Sequence, residues 1–236
     1  IAPALPSSPD VIAETREFAN AMVLEVRQEL LRPSSRIIKR VLDILAVGLI
    51  FILFSWLFLG LMLAVKCTSK GSIFFGQHRY GRDKKTFTAW KFRSMSPDAN
   101  ALLASYLNQR PELRAEWEED HKLRDDPRIT RIGKFLRKTS LDELPQLWNV
   151  LRGEMSLVGP RPIVEDEIVK YGDRFGLYSK VRPGLSGLWQ VSGRNDTTYA
   201  ERVALDCYYV RNWSVWLDLV ILARTVRVVV LGKGAY

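Results

Sequence analysis

The longest feature in the pattern of hydrophobic and polar positions is apolar. From Val41 to Val65 the chain reads VLDILAVGLIFILFSWLFLGLMLAV, with Asp43 as its one charge. A helix over this stretch would run roughly 37 Å, against a hydrocarbon core of about 30 Å. A buried helix of a soluble protein rarely keeps every face apolar for so long, and an internal run of this length is unlike a signal peptide. The pattern therefore predicts a membrane segment. Arg36, Lys39 and Arg40 precede it, and Lys66, Lys70, Arg79, Arg82, Lys84 and Lys85 follow, so Lys/Arg asymmetry does not orient a simple span. Two basic ends suit a single cytoplasmic face, which a re-entrant helix-break-helix would provide if the helix is interrupted near Ser55. Ser55 is followed by Trp56 rather than proline, and serine alone is a weak breaker, so a plain span stays open beside the re-entrant one.

Ile1 to Pro9 carries three prolines and two serines and reads as a linker, as expected of a piece of something longer. Asp10 is placed to cap a helix running to Leu31, with Phe18, Met22, Val26 and Leu30 at spacing four. Arg32-Pro33-Ser34-Ser35 ends it. Beyond the apolar segment, SIFFGQ (Ser72–Gln77) and FTAWKF (Phe87–Phe92) flank Gly81-Arg82-Asp83 and predict a hairpin. Strands are scarce elsewhere. Helical pattern resumes at Ala99, breaks at Pro111 and continues from Glu112 to Arg124, where alternating signs read as a solvated face. Trp213 to Leu231 is apolar with Asp218, Arg224 and Arg227 spaced along it, as an interfacial helix or a core helix would be.

Composition narrows the chemistry. The 236 residues suffice for a real core, and Lys+Arg 35 against Asp+Glu 26 gives a formal charge of +9, which points to phosphate or an anionic surface. Nucleic acid, anionic lipid and nucleotide all fit that charge. Cys67 and Cys207 are the only cysteines, in neither disulfide-framework nor metal-ligand spacing, so a reducing, cytosol-facing compartment is expected. His78 and His121 cannot build a zinc site, and no G-x-S-x-G element occurs. Gly76 and Gly81 have P-loop spacing, but Arg82-Asp83 stands where Lys-Ser/Thr is required.

The densest candidate chemistry runs from Asp125 to Pro162, DDPRITRIGKFLRKTSLDELPQLWNVLRGEMSLVGPRP. Arg128, Arg131, Lys134, Arg137 and Lys138 crowd ahead of the carboxylate pair Asp142-Glu143, and Arg152 and Arg161 follow. Leu141, Leu144, Leu147, Trp148 and Leu151 share a helical face, so the pair is expected at a helix N-terminus closed by Gly153. Two readings stand there. Ser140 to Glu143 matches a capping box, which makes the acids structural. Alternatively, the basic residues hold a carboxylate ionised beside phosphate-binding groups, where it could attack phosphorus or ligate Mg²⁺. Asp125-Asp126 reads either as a metal-binding pair of a nucleotide-sugar glycosyltransferase or as a turn before Pro127.

Several stretches together carry a family resemblance: Lys39-Arg40 before the apolar segment, KFRSM at Lys91–Met95, the 125–162 stretch, Val181-Arg182-Pro183-Gly184 to Gly187, WQVSGRN at Trp189–Asn195, and Asp206-Cys207-Tyr208-Tyr209-Val210. From Ser35 onward the chain resembles the bacterial sugar transferases, the monotopic polyprenyl-phosphate phosphoglycosyl transferases, and most of all the undecaprenyl-phosphate galactose-1-phosphate transferase branch. The resemblance implies transfer of a sugar 1-phosphate, galactose or glucose, from a UDP-sugar to undecaprenyl phosphate. UMP is released, and the step initiates O-antigen, capsule or exopolysaccharide assembly. It implies that Asp142 is the nucleophile forming a covalent sugar-phosphate intermediate, with Glu143 its partner and Mg²⁺ held by the pair. Arg137 and Arg161, the latter within Pro160-Arg161-Pro162, match residues associated with the nucleotide and phosphates, and Asp218 an acidic residue near the active site. Lys39, Arg40 and Ser55 match membrane-anchoring positions, although members usually carry Ser-Pro where this chain has Ser55-Trp56.

The fold expected is mainly α (α+β). It comprises a linker and amphipathic helix over 1–35, a re-entrant membrane segment over 36–70 and, over 71–236, a cytoplasmic helical catalytic domain with a small β-hairpin and interfacial amphipathic helices. The expected location is the bacterial inner membrane, in contact with its lipid; the upstream helix would support a homodimer, and nucleic acid is not an expected partner. Two other readings are a non-catalytic, membrane-tethered basic adaptor for anionic lipid or nucleic acid, and a conventional glycosyltransferase that releases UDP.

Overall fold

The computed structural model describes residues 13–18, 21–26, 28–110, 112–114, 117, 123, 126–193 and 197–231. Its first element corrects an expectation. Strands β1 (Ala13–Phe18) and β2 (Ala21–Val26) pair antiparallel from Phe18↔Ala21 to Ala13↔Val26, where a helix to Leu31 was expected. A stripe at spacing four is an even spacing, so Phe18, Met22 and Val26 satisfy the two-residue period of a strand as well as the 3.6-residue period of a helix. The ground for expecting a homodimer goes with that helix.

After a short 3-10 turn at Glu29–Leu31, helix α1 runs from Pro33 to Thr68. Pro33 occupies its first turn, where a missing N–H costs nothing. The helix is interrupted at Phe54 (φ −117°, ψ 18°), and the Trp56 indole donates to the Leu53 carbonyl (3.1 Å). A side chain bonding into the carbonyl ladder is one of the few causes of a break without proline. Ser35, Lys39, Asp43 and Val47 form a buried stripe near the start of α1, and Leu61 and Val65 are buried near its end. Between them Ile50, Phe51, Leu57 and Phe58 rest partly on the core while most other side chains are exposed, Ile52 to 77%. A core helix would hide such side chains; this one is long and apolar enough to cross a membrane.

Strands β3 (Phe74–Tyr80) and β4 (Thr86–Phe92) form the expected hairpin, in register from Tyr80↔Thr86 to Phe74↔Phe92. Helix α2 (Ala99–Gln109) lies on the surface with no buried residue. Pro111 and most of the charged stretch to Arg124 fall outside the described residues. Helix α3 (Arg131–Thr139) is capped by Thr130, whose hydroxyl accepts the Gly133 N–H (3.0 Å). A 3-10 turn at Leu141–Glu143 leads to α4 (Gln146–Arg152), ended by Gly153 at φ 80°.

The remainder is helical apart from one short parallel pair, β5 (Ser156–Val158) with β6 (Gly184–Ser186). The helices are α5 (Glu165–Tyr171), α6 (Phe175–Tyr178), α7 (Leu188–Ser192), α8 (Tyr199–Arg211) and α9 (Val215–Leu231). Gly159 and Gly184 let the backbone after β5 touch the start of β6. A Cβ on Gly184 would come within 2.1 Å of the Gly159 nitrogen. The Gly184 N–H donates to the Pro160 carbonyl (2.8 Å), which fixes the Pro160-Arg161-Pro162 segment beside the site.

Both ends of α1 are tied to the same body. Near its start, the Arg40 guanidinium donates to the carbonyls of Val150 and of Leu151 (2.6 Å) at the end of α4. Lys39 bonds Asp218 of α9 (2.6 Å), and Asp43 accepts the Leu157 N–H of β5 (3.1 Å). Just past its end, Ser69 accepts from Arg93, which follows β4 (2.8 Å).

Candidate active site

Asp142 and Glu143 lie between α3 and α4, and the reason they precede the helix rather than open it is Pro145. Proline has no N–H to give the Leu141 carbonyl four residues back, so the Leu144 N–H takes that carbonyl (3.2 Å) in a 3-10 turn. Ser140 adopts a left-handed conformation (φ 56°) and makes no side-chain cap. Glu143 does not reach back to it either. Its carboxylate meets Lys91 of β4 at 2.7 Å. The capping-box reading is therefore not what the pair does.

The pair faces a cavity of about 870 Å³. Lys91, Arg93, Arg128, Arg137 and Arg161 line its cationic side, and Phe75, Phe92, Met95 and Pro97 its apolar side. Arg137 is aimed by a bond from its Nε to the Ser94 hydroxyl (2.9 Å). Arg161 lies with its guanidinium 5.8 Å from the centre of the Trp189 ring. Arg128 grips Asp126 with Nε (2.8 and 3.0 Å) and Nη2 (2.5 Å) and stacks on Trp117 at 4.7 Å. Burial opposes ionisation of Asp126, but its Arg128 hydrogen bonds hold the carboxyl below the usual range. It is thus committed to protein; Asp125 falls outside the described residues.

The two acids of the pair are pulled apart. Burial, then the neighbouring Glu143 charge, push Asp142 up to about 6, with Lys91 and Arg137 opposing. Burial acts on Glu143 too, yet Lys91, Arg161 and Arg79 outweigh it and hold Glu143 below the usual carboxylate range. One carboxyl is pushed toward its ionised form and its neighbour toward its neutral form, a division that suits active sites. The Asp142 carboxylate makes no side-chain hydrogen bond or ion pair within the described residues, so it is open to an incoming group.

No cluster of three or more His, Cys, Asp or Glu occurs among the described residues. Mg²⁺ does not need one. It binds through one or two carboxylates together with substrate phosphates, and the adjacent Asp142 and Glu143 at the cationic cavity fit that donor set.

The structure brings Asp142, Glu143, Arg137 and Arg161 to one cavity, with Pro162 beside Arg161 and Glu143 in a small adjoining recess and Pro160 holding Gly184. Asp218 lies elsewhere. It is buried among Lys39, Tyr209 (2.6 Å) and the Trp213 indole (3.1 Å), does not line the cavity, and joins α1, α8 and α9. Arg40 serves α4, and Ser55 is exposed directly after the break. Lys91 and Trp189 belong to the cavity although only their motifs, not their roles, were singled out. The signal for Lys91 was available: it shares a strand face with buried Ala89, where an unpaired ammonium is costly.

Taken together, fold and site join a carboxylate pair in a cationic cavity to a helix long and apolar enough to cross a membrane. The chain belongs to the bacterial sugar transferase family, whose model matches residues 34–232. It is 50% identical over 217 residues to a UDP-galactose-lipid carrier transferase of Erwinia amylovora, covering 91% of this chain and 45% of that one. It is 49% identical over 215 residues to the undecaprenyl-phosphate galactose phosphotransferase of Salmonella typhimurium, again covering 91% and 45%. With the exopolysaccharide production protein ExoY of Sinorhizobium fredii the identity is 47% over 222 residues, covering 94% of this chain and 98% of the relative. The chain thus spans about half the length of the first two and nearly all of the third.

Proposed function

We propose that this chain transfers a sugar 1-phosphate, galactose or glucose, from a UDP-sugar to undecaprenyl phosphate and releases UMP, initiating O-antigen, capsule or exopolysaccharide assembly. The observation that carries the reading is an Asp142 that faces a cationic cavity without an ion pair of its own, next to a Glu143 fixed by Lys91. The names of the Erwinia and Salmonella relatives supply the substrate classes.

The chemistry follows in two displacements. The Asp142 carboxylate attacks the sugar-bearing phosphorus, an O–P bond forms, and the phosphoanhydride bond breaks with its electrons leaving on UMP. The phosphate oxygen of the lipid then attacks the same phosphorus and returns Asp142 as carboxylate. Arg137 and Arg161 supply donors to the phosphoryl oxygens, where preorganised charge counts most. Lys91 keeps Glu143 in place and lowers the cost of ionising Asp142. Mg²⁺, when held by Asp142 and Glu143, would neutralise diphosphate charge.

In the same reading α1 enters the inner membrane from the cytoplasmic face and returns to it, near the catalytic body. Three observations support this: the break at Phe54, basic residues at both ends, and the attachment of both ends to one body. The test of the chemistry is intact-mass measurement after mixing the solubilised protein with UDP-galactose or UDP-glucose in the absence of lipid. A hexose-phosphate adduct that maps to Asp142 and is missing from Asp142→Asn is expected. An adduct on another residue, or none with either donor, would overturn the covalent route.

A further inference from the structure

Arg161 lines the main cavity beside Trp189, yet its guanidinium makes no hydrogen bond or ion pair among the described residues. Where it stands is therefore set by how its backbone is held. Pro160 and Pro162 on either side have no N–H, so the segment lacks the donors of a regular ladder and each remaining polar group needs a partner of its own. The Pro160 carbonyl takes the Gly184 N–H (2.8 Å), and the Ile163 carbonyl takes the Tyr80 N–H (2.9 Å). Arg79 reaches the Pro162 carbonyl (3.5 Å), and the Arg161 N–H faces buried Asp206.

The Arg161 carbonyl and the Ile163 N–H, one on each side of Pro162, fall to a single atom. The Tyr178 hydroxyl accepts the Ile163 N–H (3.3 Å) and shares its hydrogen between the Arg161 carbonyl (3.2 Å) and the Tyr80 carbonyl (3.0 Å). Tyr178 is 3% exposed and lines none of the cavities around Arg161. Its ring is set by Tyr171, edge on at 5.0 Å, and by Phe175, stacked at 5.9 Å. The hydroxyl is thus turned to backbone alone, and it ties the segment to the end of β3.

We propose that Tyr178 is a positioning residue for Arg161: its hydroxyl locks the peptide groups on both sides of Pro162 to the end of β3, so that the guanidinium stands in the cavity before a diphosphate arrives. Charge fixed in advance is not spent on reorganisation when the ligand binds. The inference rests on the transferase reading above and adds a residue that touches no substrate.

The test is calorimetric binding of UDP, with Mg²⁺, to the whole solubilised chain, to Tyr178→Phe, to Arg161→Met and to the double variant. Tyr178→Phe deletes one oxygen and keeps the ring in its packing. Arg161→Met should weaken UDP about tenfold or more, and Tyr178→Phe about threefold to tenfold. Added to Arg161→Met, the Tyr178→Phe change should alter binding by less than about twofold, because the residue it positions is gone. Weakening by the same factor with and without Arg161 would make the hydroxyl a support of the fold at large. That result overturns the proposal, as does UDP binding unchanged by either single variant. Hydrogen exchange of the ligand-free wild-type chain provides a second measurement, decisive should Tyr178→Phe not fold. The Arg161 and Ile163 amides should exchange slowly, and fast exchange would show a segment that is not locked. A wild-type chain that binds no UDP would overturn the transferase reading, while exchange would still decide whether the segment is locked.

Discussion

At the scale of the residue, the site turns on how one half-buried carboxyl is tuned. Asp142 is raised from its ordinary 3.8 to about 6, first by burial and then by Glu143. In the folded chain it therefore keeps its proton up to about pH 6, whereas in the unfolded chain it loses it near 3.8. The stability associated with that proton is complete below the lower value and lost as pH rises through the upper one. Asp142→Asn preserves the neutral shape, so it should exceed wild type in stability at pH 8 by roughly 1–3 kcal/mol. The difference should close below pH about 4. Thermal unfolding followed across this range checks it, and a difference that does not change with pH would contradict the burial of the carboxyl. The same proton predicts that a nucleophilic Asp142 gains activity as pH rises through 6.

At the scale of the element, packing between distant pieces does what local sequence could not announce. Arg40 reads as one more basic residue ahead of an apolar run, but its guanidinium closes the C-terminal carbonyls of α4. The opposite end of α4 follows the turn that carries Asp142 and Glu143. Arg40→Ala should cost about 1.5–3 kcal/mol, the range for hydrogen bonds to a charged group, measured as a lower midpoint in denaturant, with Arg40→Lys recovering part of it. An unchanged midpoint would show that α1 is not braced on α4. Local pattern sufficed for the β3–β4 hairpin, because strand alternation and a Gly81-Arg82-Asp83 turn sit side by side. The apolar length of α1 was equally plain. It did not suffice for β1–β2, where spacing four fits both periods, or for β5–β6, three residues each and paired only because Gly159 and Gly184 permit contact. The acidic pair was visible as chemistry, but its partner Lys91 stands 52 positions away, and only the hairpin's docking on the 3-10 turn brings the two together.

At the scale of the molecule, the proposed function asks a +9 chain to gather two anionic substrates at a lipid surface. In that proposal its own carboxylate does chemistry among those charges. The cationic side of the cavity and both tethered ends of α1 fit that task. A re-entrant α1 predicts that probes attached before Arg36 and after Lys70 are both labelled from the cytoplasmic side of oriented vesicles. Trp56→Pro, which strengthens the break, should leave that labelling unchanged. Probes labelled from opposite sides would replace the re-entrant path with a span.

The central claim, that Asp142 carries a sugar phosphate from nucleotide to lipid, is tested most directly by the nucleotide released. Solubilised protein with Mg²⁺, undecaprenyl phosphate and UDP-galactose or UDP-glucose supplied separately should yield UMP with one of the two donors, and none when Asp142 is asparagine. Release of UDP, or of UMP at an undiminished rate from Asp142→Asn, would contradict it.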